Sequence, residues 1–407
     1  MKAYERFLNY VTIPTTSKED SNTFPSTSEQ FKLAEYLCEE LTALGVKGEV
    51  DPYGYVYAVL PATPGYEEVT PIGFLSHMDT SPECSGTGVK PLLTPNYDGS
   101  DLKIGDLTLT VKDFPHLPSL KGRTLITASG DTLLGADDKA GVAEIMTMVE
   151  RLLNEKRPHG KICIGFTPDE EIGQGVEHFD VARFGAAFAY TVDGEKEGGV
   201  EYENFNGAGA EVKIKGFSVH PGASKDTMIN AALVGIEFNS MLPSGDIPRN
   251  TEGYEGFFHL TDFEGDVTEA TLHYIVRDHD AASFACREKT MRHITALLNE
   301  KYRPDTVTLL YKEQYRNMAE KVLPHKAILD IAFEATERAG VEPFYAPIRG
   351  GTDGARLSYM GLPCPNLGTG GYAFHGPCEH ITVEAMDAVT DILLGIVALF
   401  AEGKDKA

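Results

Sequence analysis

Apolar residues recur at helical spacing after an S-x-x-E signature. Phe31, Ala34, Leu37, Cys38, Leu41 and Leu44 follow Ser26–Glu29, which predicts a helix opened by a capping box and stopped at Gly45. Short apolar runs at 55–60, 72–75, 161–166 and 187–192 predict strands, the last two suited to burial on both faces. Between Lys139 and Leu153 the residues Val142, Ile145, Met146, Val149 and Leu152 line one side of a helix. Strands alternating with helices predict an α/β sheet with helices packed on it.

The pattern changes after Gly207. A half-buried strand at 210–215 is followed by a helix at 225–241, strands at 256–260 and 269–277, a helix at 280–299 and a strand at 306–312. The order β-α-β-β-α-β is the ferredoxin-like one. It predicts a first domain at 1–207, interrupted by an inserted domain at 208–314 and resumed at 315–407 with helices at 326–339 and 382–400.

Charge narrows the partners. Thirty-six Lys and Arg stand against 61 Asp and Glu, a net charge of −25, which argues against nucleic acid and anionic membrane. The opening "MKAYERFLNYVTIPTT" has no signal-peptide pattern, and no apolar run reaches the length of a membrane span. Six scattered cysteines without a CxxC read as reduced thiols of a cytoplasmic protein.

Candidate chemistry starts at "GFTPDEEIG", where Asp169, Glu170 and Glu171 stand together with no cation nearby. Paired buried acids need a positive partner, and four more clusters suggest a metal: "LSHMDT", "GADDKAG", "TVDGE" and "FHGPCEH". Taken singly, each reads as a turn, a helix cap or a surface loop. Three of the five follow strand-like runs, where sites form in open α/β sheets. His nitrogen and carboxylate oxygen are zinc ligands, and two ions about 3.5–4 Å apart share a carboxylate and a water. Five residues could serve for two zinc ions: His77, Asp137 as bridge, Glu171, Asp193 and His375. Spacing does not separate Asp137 from Asp138 as the bridge. Asp79, on the same face as His77, could orient its imidazole, and Glu170 is left as general base.

The blocks "SHMDTSPE", "LLGADDKAGVAEIM", "FTPDEEIGQG", "YTVDGE", "GFSVHPGASKD", "TEGYEGFFHL", "IRGGTDGARLS" and "NLGTGGYAFHG" run from residue 76 to 376. In order they resemble a family of dinuclear-zinc peptidases that includes carboxypeptidase G-type enzymes and succinyl-diaminopimelate desuccinylase. "TEGYEGFFHL" and the long segment between His77 and Asp137 resemble its tripeptide-aminopeptidase branch. The resemblance implies a three-layer α/β catalytic domain with an inserted ferredoxin-like α+β lid. It also implies two Zn2+ per subunit on His77, Asp137, Glu171, Asp193 and His375, with Glu170 as base and Asp79 orienting His77. His220 matches the family histidine that steadies the oxyanion. A tripeptidase also needs a cation for the substrate's C-terminal carboxylate. Arg277 and Arg349 are the candidates, since a guanidinium fork suits a carboxylate, with Asn250 beside His220 in the lid. Family members occur as monomers and as homodimers formed through the lid. A dipeptidase, carboxypeptidase or deacylase of the same family is the competing expectation.

Overall fold

A computed structural model describes residues 1–406. Its strands Ile162–Thr167, Ile72–His77 and Phe188–Gly194 lie side by side and parallel, with His77 opposite Thr167. The first two are buried at every residue, as a parallel sheet covered on both faces requires. They form the middle of an eight-stranded sheet in the order Gly48–Val50, Val56–Leu60, Ile162–Thr167, Ile72–His77, Phe188–Gly194, Asn366–Gly368, Gly199–Asn204, Phe344–Ile348.

The two faces are covered by different helices. On one, Leu75, Cys163 and Ala189 pack with Phe184, Leu357 and Leu362, from the helices Val181–Phe184 and Asp353–Tyr359 and the turn after them. On the other, Phe74 stacks on Tyr190, whose hydroxyl donates to the Ile328 carbonyl of helix Ala327–Arg338 at 2.7 Å. The long helix Ala136–Glu155 also packs on the central strands. It comes so close that a Cβ on Gly141 would meet the Val192 carbonyl oxygen at 1.9 Å, so only glycine fits there.

Contacts divide the chain into two units. One comprises 1–202, 318–346 and 352–407, and the other 203–317 with 347–351. The second unit has the strand order Phe257–Gly265, Glu269–Asp278, Asn206–Lys215, Val307–Tyr315, all antiparallel. With helices Ala231–Ser240 and Ala281–Lys301, this is the ferredoxin-like arrangement. Its core joins Val212, Ile214, Leu272, Val276, Phe238 and Met291. Residues 347–351 belong here because the Ile348 carbonyl accepts from Phe205 N and His279 Nε2.

Local expectations are corrected in two places. Ser26 does not cap the helix Gln30–Ala43, whose N-cap is Glu29 without a side-chain bond; its amide and hydroxyl both donate to Asp169. The helix expected from 225 begins at Ala231, because the Asn230 side chain accepts from Leu233 N and caps it there. Asn230→Ala should therefore lower stability by about 1 kcal/mol. Chemical denaturation with an unchanged m-value would show it, and an unmoved midpoint would remove the cap from the account.

Residues 78–135 carry strands of only three residues, which the apolar pattern did not reveal. Leu92–Thr94 and Leu125–Thr127 join His380–Thr382 and Gly371–Tyr372 in a small antiparallel sheet. No helix among the described residues is long and apolar enough to cross a membrane.

Candidate metal centre

Three neighbouring parallel strands deliver three of the clusters to one place. His77 ends its strand, Asp193 lies in the last turn of the next, and the acids 169–171 follow the third. That is the carboxyl end of an open α/β sheet, where ligand sites form. His375 comes from the loop between the strands Gly371–Tyr372 and His380–Thr382. It is held at φ +62°, a left-handed backbone that costs a non-glycine residue energy and is found mainly where a site requires it.

Asp137 stands at the middle. Its Oδ1 lies 2.8 Å from His77 Nε2 and its Oδ2 lies 3.2 Å from His375 Nε2. His77 Nε2 also lies 3.4 Å from Asp193 Oδ1, and His375 Nε2 lies 2.9 Å from Glu171 Oε2. The structure thus gathers His77, Asp137, Glu171, Asp193 and His375. Asp138 is drawn aside, since its Oδ2 accepts from the Ser76 hydroxyl and from His77 N. Of the two adjacent acids, only Asp137 reaches both imidazoles.

Several observations fit cations at this spot. Ligand atoms of His77, Asp137 and Glu171 lie within 4.8 Å of one another, as do those of His77, Asp138 and Asp193. Glu171 Oε1 is buried without a hydrogen-bond partner, a state that is costly unless a positive charge meets it. Without metal, protons must hold these groups together. Hydrogen bonds to Asp137 and Glu171 push His375 up to about 11, while burial pushes Glu171 to about 7 and Asp193 to about 6. Cations would take over that neutralising role from the imidazole protons.

The surrounding residues fix the site. Asp79 is fully buried and its carboxylate accepts from Glu170 N at 3.0 Å and Glu171 N at 3.2 Å. Expected only to orient His77, it also holds the acidic turn. Its Oδ1 lies 3.3 Å from His77 Nδ1, and its main-chain carbonyl oxygen is closer, at 3.1 Å. Asp169 anchors the same turn from the other side, accepting from Ser26 and Gln30 Nε2 while its own amide donates to Gln30 Oε1. The Glu170 carboxyl makes no hydrogen bond among the described residues, and burial, then the charge of Asp193, holds it well above the usual carboxylate range.

Two further acids escaped the sequence reading. Glu379 is 1% exposed and accepts from the amides of Leu134, Gly135 and Asp137 at 2.6–3.0 Å. Asp353 is buried and accepts from the Thr167 hydroxyl at 2.8 Å. Both lie in quoted blocks, "FHGPCEH" and "IRGGTDGARLS", yet no spacing rule marks a residue whose partners, backbone amides for Glu379 and a hydroxyl for Asp353, are distant in the chain.

The expected substrate residues sit in the second unit. His220 and Asn250 are exposed, and His220 Nδ1 accepts from Gly222 N. Arg277 has no bond to Asp278 or Asp280; it donates to the carbonyls of Ala208 and Val276 and lies over the Tyr315 ring. Both arms of Arg349 are committed within the unit, to the carbonyls of Gly253, Glu255 and Thr251 and to the Thr251 hydroxyl. A carboxylate clamp from Arg349 would have to break these bonds.

Comparison with known proteins identifies the family. Residues 133–399 match peptidase family M20/M25/M40. Peptidase T of Geobacillus sp. is 50% identical over 403 residues, covering 98% of each chain. Among solved structures, a tripeptidase from Staphylococcus aureus aligns with TM-score 0.79 at 21% identity over 98% of both chains. A dinuclear metal-binding peptidase of the M20 family from Bacillus subtilis aligns with TM-score 0.67 at 15% identity, again over 98% of both. The chain belongs to the M20/M25/M40 peptidase family, in which its half-identical relatives are called peptidase T.

Proposed function

We propose that this chain is a two-zinc aminopeptidase that removes the first residue of tripeptides, with Glu170 as general base. The observation that carries the reading is the Asp137 carboxylate set between two imidazoles, one oxygen toward each. The names of the half-identical relatives support the substrate class. Six free cysteines accord with work in a reducing, cytoplasmic setting.

His77 and Asp193 would hold one cation, Glu171 and His375 the other, and Asp137 both. When bound, such a pair polarises a carbonyl and lowers the pKa of a shared water to about 7. Glu170 would accept the proton of the attacking water and pass it to the departing amine of the first peptide bond. Its backbone is fixed by Asp79, so the carboxyl alone is free to turn. The family resemblance assigns His220 of the inserted unit to the developing oxyanion, and the exposed Asn250 of the same unit is a candidate for substrate binding.

The test uses a free tripeptide, its N-acetylated form, and the matching dipeptide and tetrapeptide. Each is run on the protein as purified, after chelation, and after zinc or manganese is restored. Cleavage of the free tripeptide alone, lost on chelation and recovered with zinc, is expected. Metal-dependent cleavage of the blocked peptide or the dipeptide would overturn the tripeptide assignment while keeping the centre. Full activity after complete metal removal would overturn the centre itself.

A further inference from the structure

We propose that Glu83 receives the free α-amino group of the substrate and so sets the preference for an unblocked N-terminus. The inference rests on the aminopeptidase reading and gives it a specificity residue. An enzyme that requires a free N-terminus needs a carboxylate for the ammonium that is not engaged elsewhere. Most acids at the centre are engaged. Asp79 and Glu379 accept main-chain amides, and Asp353 accepts from Thr167. Asp137, Glu171 and Asp193 lie on the imidazoles, and Glu170 is needed for the proton.

Glu83 differs in exposure and in place. Its side chain is 71% exposed and its Oε2 lies 3.6 Å from His375 Nδ1, too far for a hydrogen bond that would hold the ring. His375 Nε2, on the other side of that ring, is the atom 2.9 Å from Glu171 and 3.2 Å from Asp137. One imidazole ring therefore separates Glu83 from the metal-ligating atoms. In a peptide the α-nitrogen and the first carbonyl carbon are only about 2.5 Å apart. An ammonium-binding carboxylate for cleavage of the first bond must lie this close to the centre, whereas one serving an endopeptidase or carboxypeptidase need not.

The segment bearing Glu83 is also fixed. Thr80 N donates to the Thr15 carbonyl and Ser17 N to the Thr80 carbonyl, and on the far side Leu133 N donates to the Ser85 carbonyl. Pro82 stiffens the residue before it. Glu83 is thus presented from a tied loop, with a side chain free to close on a ligand.

The test compares wild type, Glu83→Gln and Glu195→Gln, all zinc-loaded. Glu195 is the competing exposed acid beside the centre. Substrates are the free tripeptide and, as competitive ligand, its analogue lacking the α-amino group. Glu83→Gln should raise KM for the free tripeptide about 10–100-fold, the usual loss of a bond between charged groups. The effect on kcat should stay small, with zinc content and the KI of the des-amino analogue unchanged. Glu195→Gln should behave as wild type. An unchanged KM in Glu83→Gln, an equal loss for the des-amino analogue, loss of zinc, or the KM effect appearing in Glu195→Gln would each overturn the proposal. If wild type cleaves no free tripeptide, the aminopeptidase reading falls first and this inference with it.

Discussion

Glu170→Gln should lower kcat by about 10²–10⁴, the usual contribution of a positioned general base, while metal content and KM change little. Glutamine matches glutamate in shape but accepts no proton. The exchange also leaves the loop intact, because Glu170 is held through its amide on Asp79, not through its carboxyl. Glu171, the adjacent proposed ligand, keeps its own amide bond to Asp79 and its position beside His375. Glu170→Asp should fall between the two, since a shorter arm misplaces the carboxylate by about 1 Å and displacements of that size can cost about 10² in rate. Steady-state kinetics beside elemental analysis of the same samples decides the matter. Activity within tenfold of wild type would remove Glu170 from the proton transfer. Joint loss of metal and activity would make it a ligand instead.

This prediction depends on residues whose roles were differently visible in the sequence. The apolar runs 72–75, 161–166 and 187–192 read as strands, and their polar successors stood out by contrast. Because adjacent parallel strands end at the same side of a sheet, that local pattern already implied a shared site. The alternation and spacing from 208 to 314 likewise pointed to a ferredoxin-like unit. What stayed hidden depends on long-range contacts. Ser26 looked like a helix cap because Ser and Glu stand three apart, yet its hydroxyl goes to Asp169, 143 residues away. The strands of residues 78–135 are too short to show a period. Sequence does not show that carbonyls of 251–255 accept from the Arg349 guanidinium, which it offered as a candidate for the substrate carboxylate. Spacing could not choose between Asp137 and Asp138. In three dimensions Ser76 and the His77 amide engage Asp138, while Asp137 lies between the two imidazoles.

Glu379→Ala should weaken metal binding about 10–100-fold, the range for loss of a residue that orients a ligand, and should also destabilise the fold. The long helix Ala136–Glu155 has Gly135 at φ +86° as its N-cap and no side-chain cap of its own. Its first amides would be orphaned. Glu379 supplies an acceptor for one of them from the far end of the chain, Oε1 taking Asp137 N, while Oε2 takes Leu134 N and Gly135 N of the turn that leads into the helix. A carboxylate is also favoured at the positive end of a helix. Alanine would leave three buried donors unpaired, each costing about 1–3 kcal/mol unless water enters. The segment that sets the direction of the Asp137 carboxylate would loosen with them. Glu379→Gln should be milder. Its single oxygen can keep the two bonds at Oε2, but its NH2 then faces the Asp137 amide, donor against donor. The expected order for zinc affinity is wild type, then glutamine, then alanine, with activity of the alanine variant recovering in part at raised zinc. Titration with a zinc chelator and thermal melting with and without added metal would measure both effects. A variant with wild-type affinity but a lowered Tm would leave Glu379 as a fold residue alone. Equal losses for glutamine and alanine would show that the bond to the Asp137 amide governs the ligand's orientation.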